Sequence, residues 1–314
     1  MANFALIGVA GYVAPRHLRA IKETGNKLIS ALDPSDSAGI IDSFFPEADF
    51  FIEPERFDRN IDKLRRSGNK IDYISICSPN YLHDSHIRLS LRNQADAVCE
   101  KPLVLNPWNL DALKIIEQET GKKIHNILQL RLHEEIIKLY DQIHNNGNDK
   151  IYDVELTYIT SRGKWYDRSW KGTIEKSGGV VTNIGIHFFD MLSFLFGEVK
   201  ENIVHLSRPH KAAGLLILKH ARVKWFMSID YEDIPDAIKA KGQRMYRSIT
   251  VDKEQSMEFS LGFTDLHTKS YQHILSGGGF GVEDARTAIE TVFTIRNAAP
   301  IGKKGEYHPF LKKL

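Results

Sequence analysis

The first part of the chain alternates between short apolar runs and stretches with helical spacing. Continuous apolar runs are typical of parallel strands buried on both faces, and they occupy residues 4–11, 27–32, 71–77, 97–99 and 123–129. Helical spacing follows at about residues 14–23, 83–93 and 107–120. This alternation predicts an α/β fold that begins with a doubly wound Rossmann domain of six strands over residues 1–125.

The pattern changes in the second part of the chain. After the polar cluster at 145–149, long runs with partial alternation predict strands at 151–160, 201–206, 214–219 and 223–230. Alternation is typical of a sheet with helices on one face only. We therefore expect residues 126–314 to form an α+β domain with a large, mostly antiparallel open sheet. We expect its free face to make a homo-oligomer, a dimer or a tetramer.

One predicted helix of this second domain carries a polar stripe. Asn183, His187 and Asp190 stand four and three residues apart, so they share a helix face. A single histidine in this position is usually a core residue with its hydrogen bonds satisfied, but three polar residues on an otherwise apolar helix indicate a site. Gly178 and Gly179 precede the helix and allow close approach of a ligand or of backbone.

Composition excludes several classes of function. The 42 Lys+Arg balance 40 Asp+Glu, which does not favour nucleic acid as a partner. No apolar run approaches the ~20 residues of a membrane span, and residue 4 already begins a strand instead of a signal peptide. Cys77 and Cys99, the two cysteines, end apolar runs, where reduced buried thiols are common. These features predict a cytoplasmic protein without disulfides or a cysteine metal site.

A glycine turn after the first strand predicts a dinucleotide site. Gly8 and Gly11 lie between strand and helix, although Ala10 and Val13 replace two glycines of the G-x-G-x-x-G pattern. Asp33 ends the next strand about 20 residues later, where an acid binds the ribose hydroxyls of NAD. No arginine follows to bind a 2′-phosphate, so NAD is favoured over NADP. A turn or helix-cap role for Asp33 is the alternative.

Glu100, Lys101 and Pro102 end another strand of the same sheet. Carboxyl ends of parallel strands are where open α/β sheets bind ligands, and a partly dehydrated lysine there is a candidate acid or base. The alternative is a surface salt bridge between Glu100 and Lys101. Ser78, Asn80 and His83 follow the strand at 71–77 and are expected near the nicotinamide; with no third ligand evident near His83 and His86, no metal site is expected.

A loop between two strands of the second domain interleaves cations with aromatic residues. It runs from 161 to 171 and includes Arg162, Lys164, Trp165 and Tyr166. Such a loop can grip an anionic ligand and stack on a planar ring. The alternative is an exposed loop that packs its aromatic residues on its own chain.

Taken in order, these motifs resemble the Gfo/Idh/MocA family of NAD(P)-dependent sugar oxidoreductases. The resemblance rests on the glycine turn, Asp33, Ser78-Pro79-Asn80 with His83, Glu100-Lys101-Pro102, and Gly178-Gly179 with Asn183, Gly185, His187 and Asp190. Residues 4–15, 75–86 and 158–170 look most like the branch that contains the UDP-N-acetylglucosaminuronate (UDP-GlcNAcA) 3-dehydrogenases. Two departures are the depleted glycine pattern and Asn183, where many family members have an aspartate.

The resemblance implies a function and a set of site residues. Its branch oxidises C3 of UDP-GlcNAcA with NAD, some members reoxidise NADH with 2-oxoglutarate, and the product enters bacterial lipopolysaccharide O-antigen biosynthesis. The catalytic residues implied are Lys101 and His187, either of which can be the base, with Asn183 orienting. The expected cofactor contacts are Gly8, Ala10, Gly11, Tyr12, Val13, Asp33, Ser35, Ser78, Pro79, Asn80, His83, Glu100, Lys101, Gln129 and Trp165. The expected substrate contacts are Lys101, Arg131, Arg162, Lys164, Tyr166, Asn183 and His187.

Two other functions fit the same sequence. One is a dehydrogenase of a different sugar or of inositol, which would act without a UDP group. The other is a non-catalytic NAD-binding regulator, because a fold does not by itself give a function. The basic aromatic loop at 161–171 favours a large anionic substrate over both.

Overall fold

The computed structural model describes residues 1–145, 150–253, 255–258 and 265–313. The chain forms two compact units, Met1–Leu132 with Thr264–Arg286 and His133–Phe263 with Thr287–Leu314. The predicted polar break at 145–149 falls largely outside the described residues. The functional boundary between residues 125 and 126 stays a prediction.

The first unit contains the predicted parallel sheet. Its six strands have the order β3-β2-β1-β4-β5-β6, and every pairing is parallel. They are β1 Asn3–Ile7, β2 Lys27–Leu32, β3 Asp49–Phe51, β4 Tyr73–Ile76, β5 Asp96–Cys99 and β6 Ile124–Asn126. The chain moves outward in one direction from β1 and in the other from β4, so the strand order reverses between them. Open α/β sheets bind ligands in the crevice at this point.

Helices cover this sheet. They are α1 Ala14–Glu23, α2 Pro54–Arg66, α3 His83–Arg92, α4 Pro107–Thr120 and, from late in the chain, α10 Leu266–Leu275. Of these, α1, α3 and α4 lie at the predicted positions, whereas α2 and the covering by α10 were not predicted. Phe4 and Leu6 of β1 are fully buried, as a strand covered on both faces requires. Tyr271 of α10 packs in the same core, so a late segment completes the first unit.

The second unit is built on a mixed sheet. Its order is β12-β11-β7-β10-β9-β8; β7 and β10 pair in parallel, and the other pairings are antiparallel. The strands are β7 Tyr152–Thr160, β8 Val199–Arg208, β9 Lys211–Leu218, β10 Ala221–Ser228, β11 Met245–Val251 and β12 Gln255–Glu258. The predicted fold class is confirmed, although the pattern analysis missed β11 and β12.

The helices of the second unit lie mainly before β8 and after the sheet. They are α5 Glu134–Asn145, α6 Trp165–Arg168, α7 Ile174–Ser177, α8 Ile186–Phe196, α9 Asp236–Lys239 and α11 Val282–Asn297, whose last part belongs to this unit. Phe189 of α8 packs edge-on against Trp225 of β10, with ring centroids 5.3 Å apart. This contact identifies the helix-covered face of the sheet.

The alternation suggested that the opposite face of the sheet is free, but this face is partly covered. Leu311 packs in a buried cluster with Ile159, Ala213 and Phe226, and His308 stacks on Phe226. The chain's own C-terminal segment therefore covers part of this face. Strand periodicity reveals that a face is less apolar, but not which segment returns to cover it.

One helical stretch, Ile174–Phe196, is long and apolar enough by composition to cross a membrane. Its most apolar window is 72% buried in the protein. A single stretch of this kind is weak evidence for a span, because a buried core helix meets the same criteria.

Candidate active site

The glycine turn after β1 has the tight geometry that a dinucleotide-binding turn needs. Gly8 has φ +89°, and a Cβ built there would lie 2.7 Å from the backbone carbon of Cys77. Its N–H donates to the carbonyl of Leu32 at 2.8 Å. Only a residue without a side chain fits this crossing of three strand ends, so glycine at position 8 lets the ends of β1, β2 and β4 pack closely beneath the turn. Beyond the turn, Tyr12 is 89% exposed.

Asp33 lies directly after β2 and holds two backbone turns. Its Oδ2 accepts from the N–H of Ala10 at 3.0 Å, and its Oδ1 accepts from the N–H of Ser35 at 2.9 Å. The carboxylate therefore fixes the glycine turn to the end of β2. Asp33 therefore does act as a turn acid, which was the alternative role. Its carboxylate is half-buried and can still accept hydrogen bonds from ribose hydroxyls.

The segment after β4 is buried and joined to the segment after β5. His83 is 1% exposed; its Nδ1 lies 2.7 Å from the Pro102 carbonyl, and its Nε2 lies 2.9 Å from the Ser78 carbonyl. Burial lowers the pKa of His83, and a neutral ring donates to one carbonyl at a time. Both ring nitrogens face backbone, so this side chain links two loops; its predicted cofactor contact stays a prediction.

Ser78 and Asn80 are 7% and 5% exposed, and Ser78 Oγ lies 2.8 Å from Nδ1 of His86. Burial lowers the pKa of His86 to about 4. These side chains line the end of β4, next to β1, as the strand order requires.

Glu100 and Lys101 do not form the exposed salt bridge of the alternative reading. Glu100 is 6% exposed, and its Oε1 lies 2.9 Å from Nε2 of His17 and 2.8 Å from Nε2 of His267. This occupies one oxygen of the carboxylate that was predicted to contact the cofactor. Lys101 is half-buried and follows β5 at the edge where the other predicted residues lie.

Gln129 begins the turn after β6 and provides a further polar atom at this edge. It is 6% exposed, and its Oε1 is buried with no hydrogen-bond partner in the described part of the chain. A buried acceptor without a donor is unfavourable unless a ligand or water supplies one. Together with the crowded glycine turn, this atom fits a bound dinucleotide with an N–H donor at this end of the sheet.

Arg131 is already engaged within the first unit. Its guanidinium donates to Oδ1 of Asp284 at 3.2 Å and to the Asp284 carbonyl at 2.8 Å, and it lies over the ring of Phe280. A bidentate contact with a substrate anion would need this arrangement to open. The predicted substrate role of Arg131 stays a prediction.

The polar stripe of the second unit begins with a π-helical turn. Val181–Gly185 forms this turn and α8 continues from Ile186, so the predicted helix is present but widened where Asn183 lies. Single π turns are frequent at functional sites. Asn183 and His187 are half-buried, and Asp190 is 2% exposed. The preceding Gly178 and Gly179 have φ +79° and +77°, which only glycine adopts without strain.

The loop at 161–171 divides into exposed and packed side chains. Arg162 and Lys164 are exposed, and Trp165 is 54% exposed. Tyr166 is 3% exposed, its oxygen accepts from Nδ2 of Asn183 at 3.0 Å, and burial raises its pKa. Tyr166 thus orients a predicted catalytic residue, while the other three side chains remain accessible for an anionic ligand.

Three residues near Glu100 were not identified from the sequence. His17 on α1 and His267 and Tyr271 on α10 are buried and hydrogen-bonded around it or around each other. His17 stands four residues before Ile21, on the apolar face of α1. A histidine on an apolar helix face was the available signal, but it usually means a core residue.

Comparisons with known proteins match both units. The family described as "Oxidoreductase family, NAD-binding Rossmann fold" (Gfo/Idh/MocA) matches residues 2–127, and its "C-terminal alpha/beta domain" matches residues 141–233. The solved structure of the WlbA (WbpB) dehydrogenase from Thermus thermophilus with NAD and alpha-ketoglutarate is 49% identical, with a TM-score of 0.95, covering 99% of this chain and 100% of that chain. A second structure of that dehydrogenase, with NAD and UDP-GlcNAcA, is 48% identical with the same TM-score and coverage.

Curated relatives are more distant. Inositol 2-dehydrogenase of Rhizobium meliloti is 28% identical over 201 residues, which are 62% of this chain and 55% of that protein. The 2,7-anhydro-N-acetylneuraminate hydratase of Mediterraneibacter gnavus is 26% identical over 209 residues, 64% of this chain and 51% of that protein. The chain thus spans about half the length of these curated relatives.

Proposed function

The chain belongs to the Gfo/Idh/MocA oxidoreductase family, and on that premise we propose that it oxidises the C3 hydroxyl of UDP-GlcNAcA with NAD as cofactor. The observation that carries the proposal is the likeness to the Thermus thermophilus dehydrogenase, which extends over nearly the whole of both chains and includes a structure with NAD and UDP-GlcNAcA. At this level of identity the likeness goes beyond the fold.

The first unit holds the cofactor. The turn from Gly8 to the start of α1 receives the pyrophosphate, Asp33 accepts from the ribose hydroxyls, and Gln129 Oε1 accepts from the nicotinamide end. Bound NAD supplies the hydride acceptor. Ser35, Ser78 and Asn80 lie beside these groups, and the absence of an arginine after Asp33 favours NAD over NADP.

Lys101 and His187 handle the proton of the C3 hydroxyl. One of them accepts the proton as the hydride leaves C3, and the other donates a hydrogen bond to the same oxygen and stabilises its developing charge. Asn183, fixed by Tyr166, orients His187 or the sugar. An asparagine has no charge to stabilise an imidazolium, which distinguishes this chain from relatives with an aspartate.

The exposed side chains of the loop at 161–171 bind the anionic parts of the substrate. Arg162 and Lys164 contact the diphosphate or the uronate carboxylate, and Trp165 stacks on a planar ring. 2-Oxoglutarate reoxidises NADH, in line with the neighbour that contains alpha-ketoglutarate. We further propose a cytoplasmic homo-oligomer, a tetramer or a dimer, acting in bacterial O-antigen biosynthesis.

One direct test supplies the protein with UDP-GlcNAcA, NAD and 2-oxoglutarate and identifies the 3-keto sugar by mass spectrometry. UDP-GlcNAc in place of UDP-GlcNAcA tests the need for the carboxylate. Inositol is the second candidate substrate, because a curated relative is an inositol 2-dehydrogenase. Turnover of inositol without turnover of either nucleotide sugar would overturn the proposal.

Two substitutions test the assigned residues. Lys101→Met and His187→Asn should each lower kcat by about 100- to 10,000-fold while NAD still binds, measured by calorimetry. Lys63→Met and His144→Asn change exposed side chains and should keep the wild-type rate. Wild-type turnover in both site variants would refute the assignment.

A further inference from the structure

A buried polar network converges on Glu100 from three elements of the first unit, α1, α10 and β4. Oε1 of Glu100 lies 2.9 Å from Nε2 of His17 on α1 and 2.8 Å from Nε2 of His267 on α10. Nδ1 of His17 lies 2.7 Å from the Tyr271 hydroxyl, which lies 2.6 Å from Ser75 Oγ on β4. Each of these residues is 6% exposed or less. The network therefore encloses the carboxylate that directly precedes Lys101.

The contacts favour one arrangement of protons. Ser75 donates to the Tyr271 oxygen, Tyr271 donates to Nδ1 of His17, and Nε2–H of His17 donates to Glu100. His267 donates through Nε2–H, because its Nδ1 is buried with no hydrogen-bond partner among the described residues and a proton there would be an unsatisfied buried donor. The ring of His17 is then neutral and donates to the charged carboxylate.

The surrounding titratable groups are consistent with this charge. Burial lowers the pKa of His17 and raises the pKa of Cys77, Cys99 and Tyr271 well above their usual values. Burial alone would raise the pKa of Glu100, but the hydrogen bonds from His17 and His267 hold it well below its usual value. His83 interacts electrostatically with both Glu100 and Lys101.

A metal ion does not account for these distances. Three ligand atoms of this cluster lie within 4.8 Å of one another, as a metal site also requires. However, atoms bound to one ion at about 2.0–2.2 Å in a tetrahedral arrangement lie farther apart than the 2.8 and 2.9 Å seen here. These separations are those of hydrogen bonds to a charged acceptor.

We propose that His17, His267 and Tyr271 are positioning residues for Lys101: they keep the Glu100 carboxylate ionised and fixed, so that Lys101 works beside a permanent negative charge. The inference rests on the proposed role of Lys101 in the reaction. A nearby carboxylate favours the ammonium form of a lysine. Lys101 then stabilises the developing oxyanion as a cation, and His187 takes the proton as the base.

The substitution Glu100→Gln removes the negative charge of the carboxylate and keeps the shape of the side chain. We expect kcat to fall at least about 10-fold with KM for the sugar changed less than about threefold. We also expect the alkaline limit of kcat to move to lower pH by about one unit, because Lys101 loses its proton more easily without the carboxylate. If Glu100 had only a structural role, Glu100→Gln would lower the stability of the protein without moving this alkaline limit.

Two tyrosines provide a matched pair for the outer part of the network. The rings of Tyr73 and Tyr271 both pack on Phe4, with centroids 4.9 and 5.7 Å away, but only the Tyr271 hydroxyl contacts His17. Tyr271→Phe should move the alkaline limit in the same direction as Glu100→Gln, by a smaller amount. Tyr73→Phe should leave it in place. His267→Gln retains a donor and should keep more activity than His267→Leu.

A second measurement does not depend on turnover or on any variant of Glu100 folding. In ¹⁵N NMR of the wild-type protein, His17 should be neutral at neutral pH with the proton on Nε2. The Cε carbon of Lys101, assigned with Lys101→Met, should titrate at higher pH in wild type than in Tyr271→Phe.

Several results would overturn the inference. They are an unchanged alkaline limit in Glu100→Gln, equal titration of Lys101 in wild type and Tyr271→Phe, an imidazolium signal from His17, or a stoichiometric divalent metal that is lost in His17→Gln. An inactive wild-type enzyme would instead refute the proposed function, and the NMR titration would still decide on the network.

Discussion

At the scale of single residues, Gly8 decides whether the cofactor turn can form. Its positive φ and the 2.7 Å approach to Cys77 are separate reasons for glycine. Gly25 shares the first reason, with φ +73°, but no atom lies within 4 Å of a Cβ built there. The two positions therefore separate backbone strain from crowding.

Gly8→Ala should destabilise the protein more than Gly25→Ala. We expect about 1 kcal/mol for Gly25→Ala, from the left-handed backbone alone, and about 3 kcal/mol or more for Gly8→Ala, because strand ends must move. Urea unfolding measures both, and calorimetry should show weaker NAD binding only in Gly8→Ala. Equal losses in the two variants would show that crowding at Gly8 has no importance.

At the scale of elements, the C-terminal segment is part of the core of the second unit. The turn Pro309–Lys313 brings Leu311, 3% exposed, against β7 and β10. His308 fixes the start of this turn, because its Nε2 donates to Thr157 Oγ1 at 3.1 Å and its Nδ1 accepts from the N–H of Phe310. Residues 308–311 thus bury part of one face of the sheet.

Leu311→Ala should lower the free energy of unfolding by about 2–4 kcal/mol, the usual range for a buried leucine. Lys312→Ala, at an exposed neighbouring position, should change it by less than about 0.5 kcal/mol. Urea unfolding followed by circular dichroism gives both values. Similar small effects in the two variants would mean that the segment does not contribute to the core.

At the scale of the whole molecule, many histidines are buried in the neutral form. Burial is the leading cause that lowers the pKa of each one, and in His308 it lowers the pKa to about 3. The described histidines with this shift are His17, His83, His86, His125, His205 and His308. Between these pKa values and the ordinary 6.5, the unfolded chain binds protons that the folded protein does not.

The free energy of unfolding should therefore be highest above about pH 6.5 and fall as the pH decreases. His308 alone contributes a slope of about 1.4 kcal/mol per pH unit between about pH 6 and 4. His210 has the opposite effect. Burial lowers its pKa, but Asp167 and Asp230 outweigh burial and raise the pKa above its usual value. Its stabilising contribution is therefore present at low pH and is lost as the pH rises.

Urea unfolding between pH 7.5 and 4.5 measures the slope. His308→Phe should flatten it, whereas Thr157→Val removes the hydrogen bond but keeps the titrating ring and should leave the slope unchanged. A protein that becomes more stable on acidification would contradict the prediction.

Much of the fold could be predicted from the sequence because its signals are local. Continuous apolar runs gave five of the six parallel strands, all except β3, and helical spacing gave α1 and α4 at their observed limits. Cys77 and Cys99 are buried free thiols, as predicted. Lys101, Asp33 and Gly8 could be predicted as site residues because a strand end, a spacing and a turn each have a chemical meaning that does not depend on distant residues.

What only the tertiary structure decided concerns contacts between distant parts of the chain. A local pattern cannot show that α10 brings His267 and Tyr271 to a carboxylate 167 and more residues earlier, or that residues after 300 cover the sheet. The sequence by itself determined most of the strands and helices, since periodicity reflects which positions are buried; β3, β11, β12 and α2 were among the exceptions. The folded chain decided which buried polar groups satisfy one another, because hydrogen bonds depend on positions in space and leave no period in the sequence.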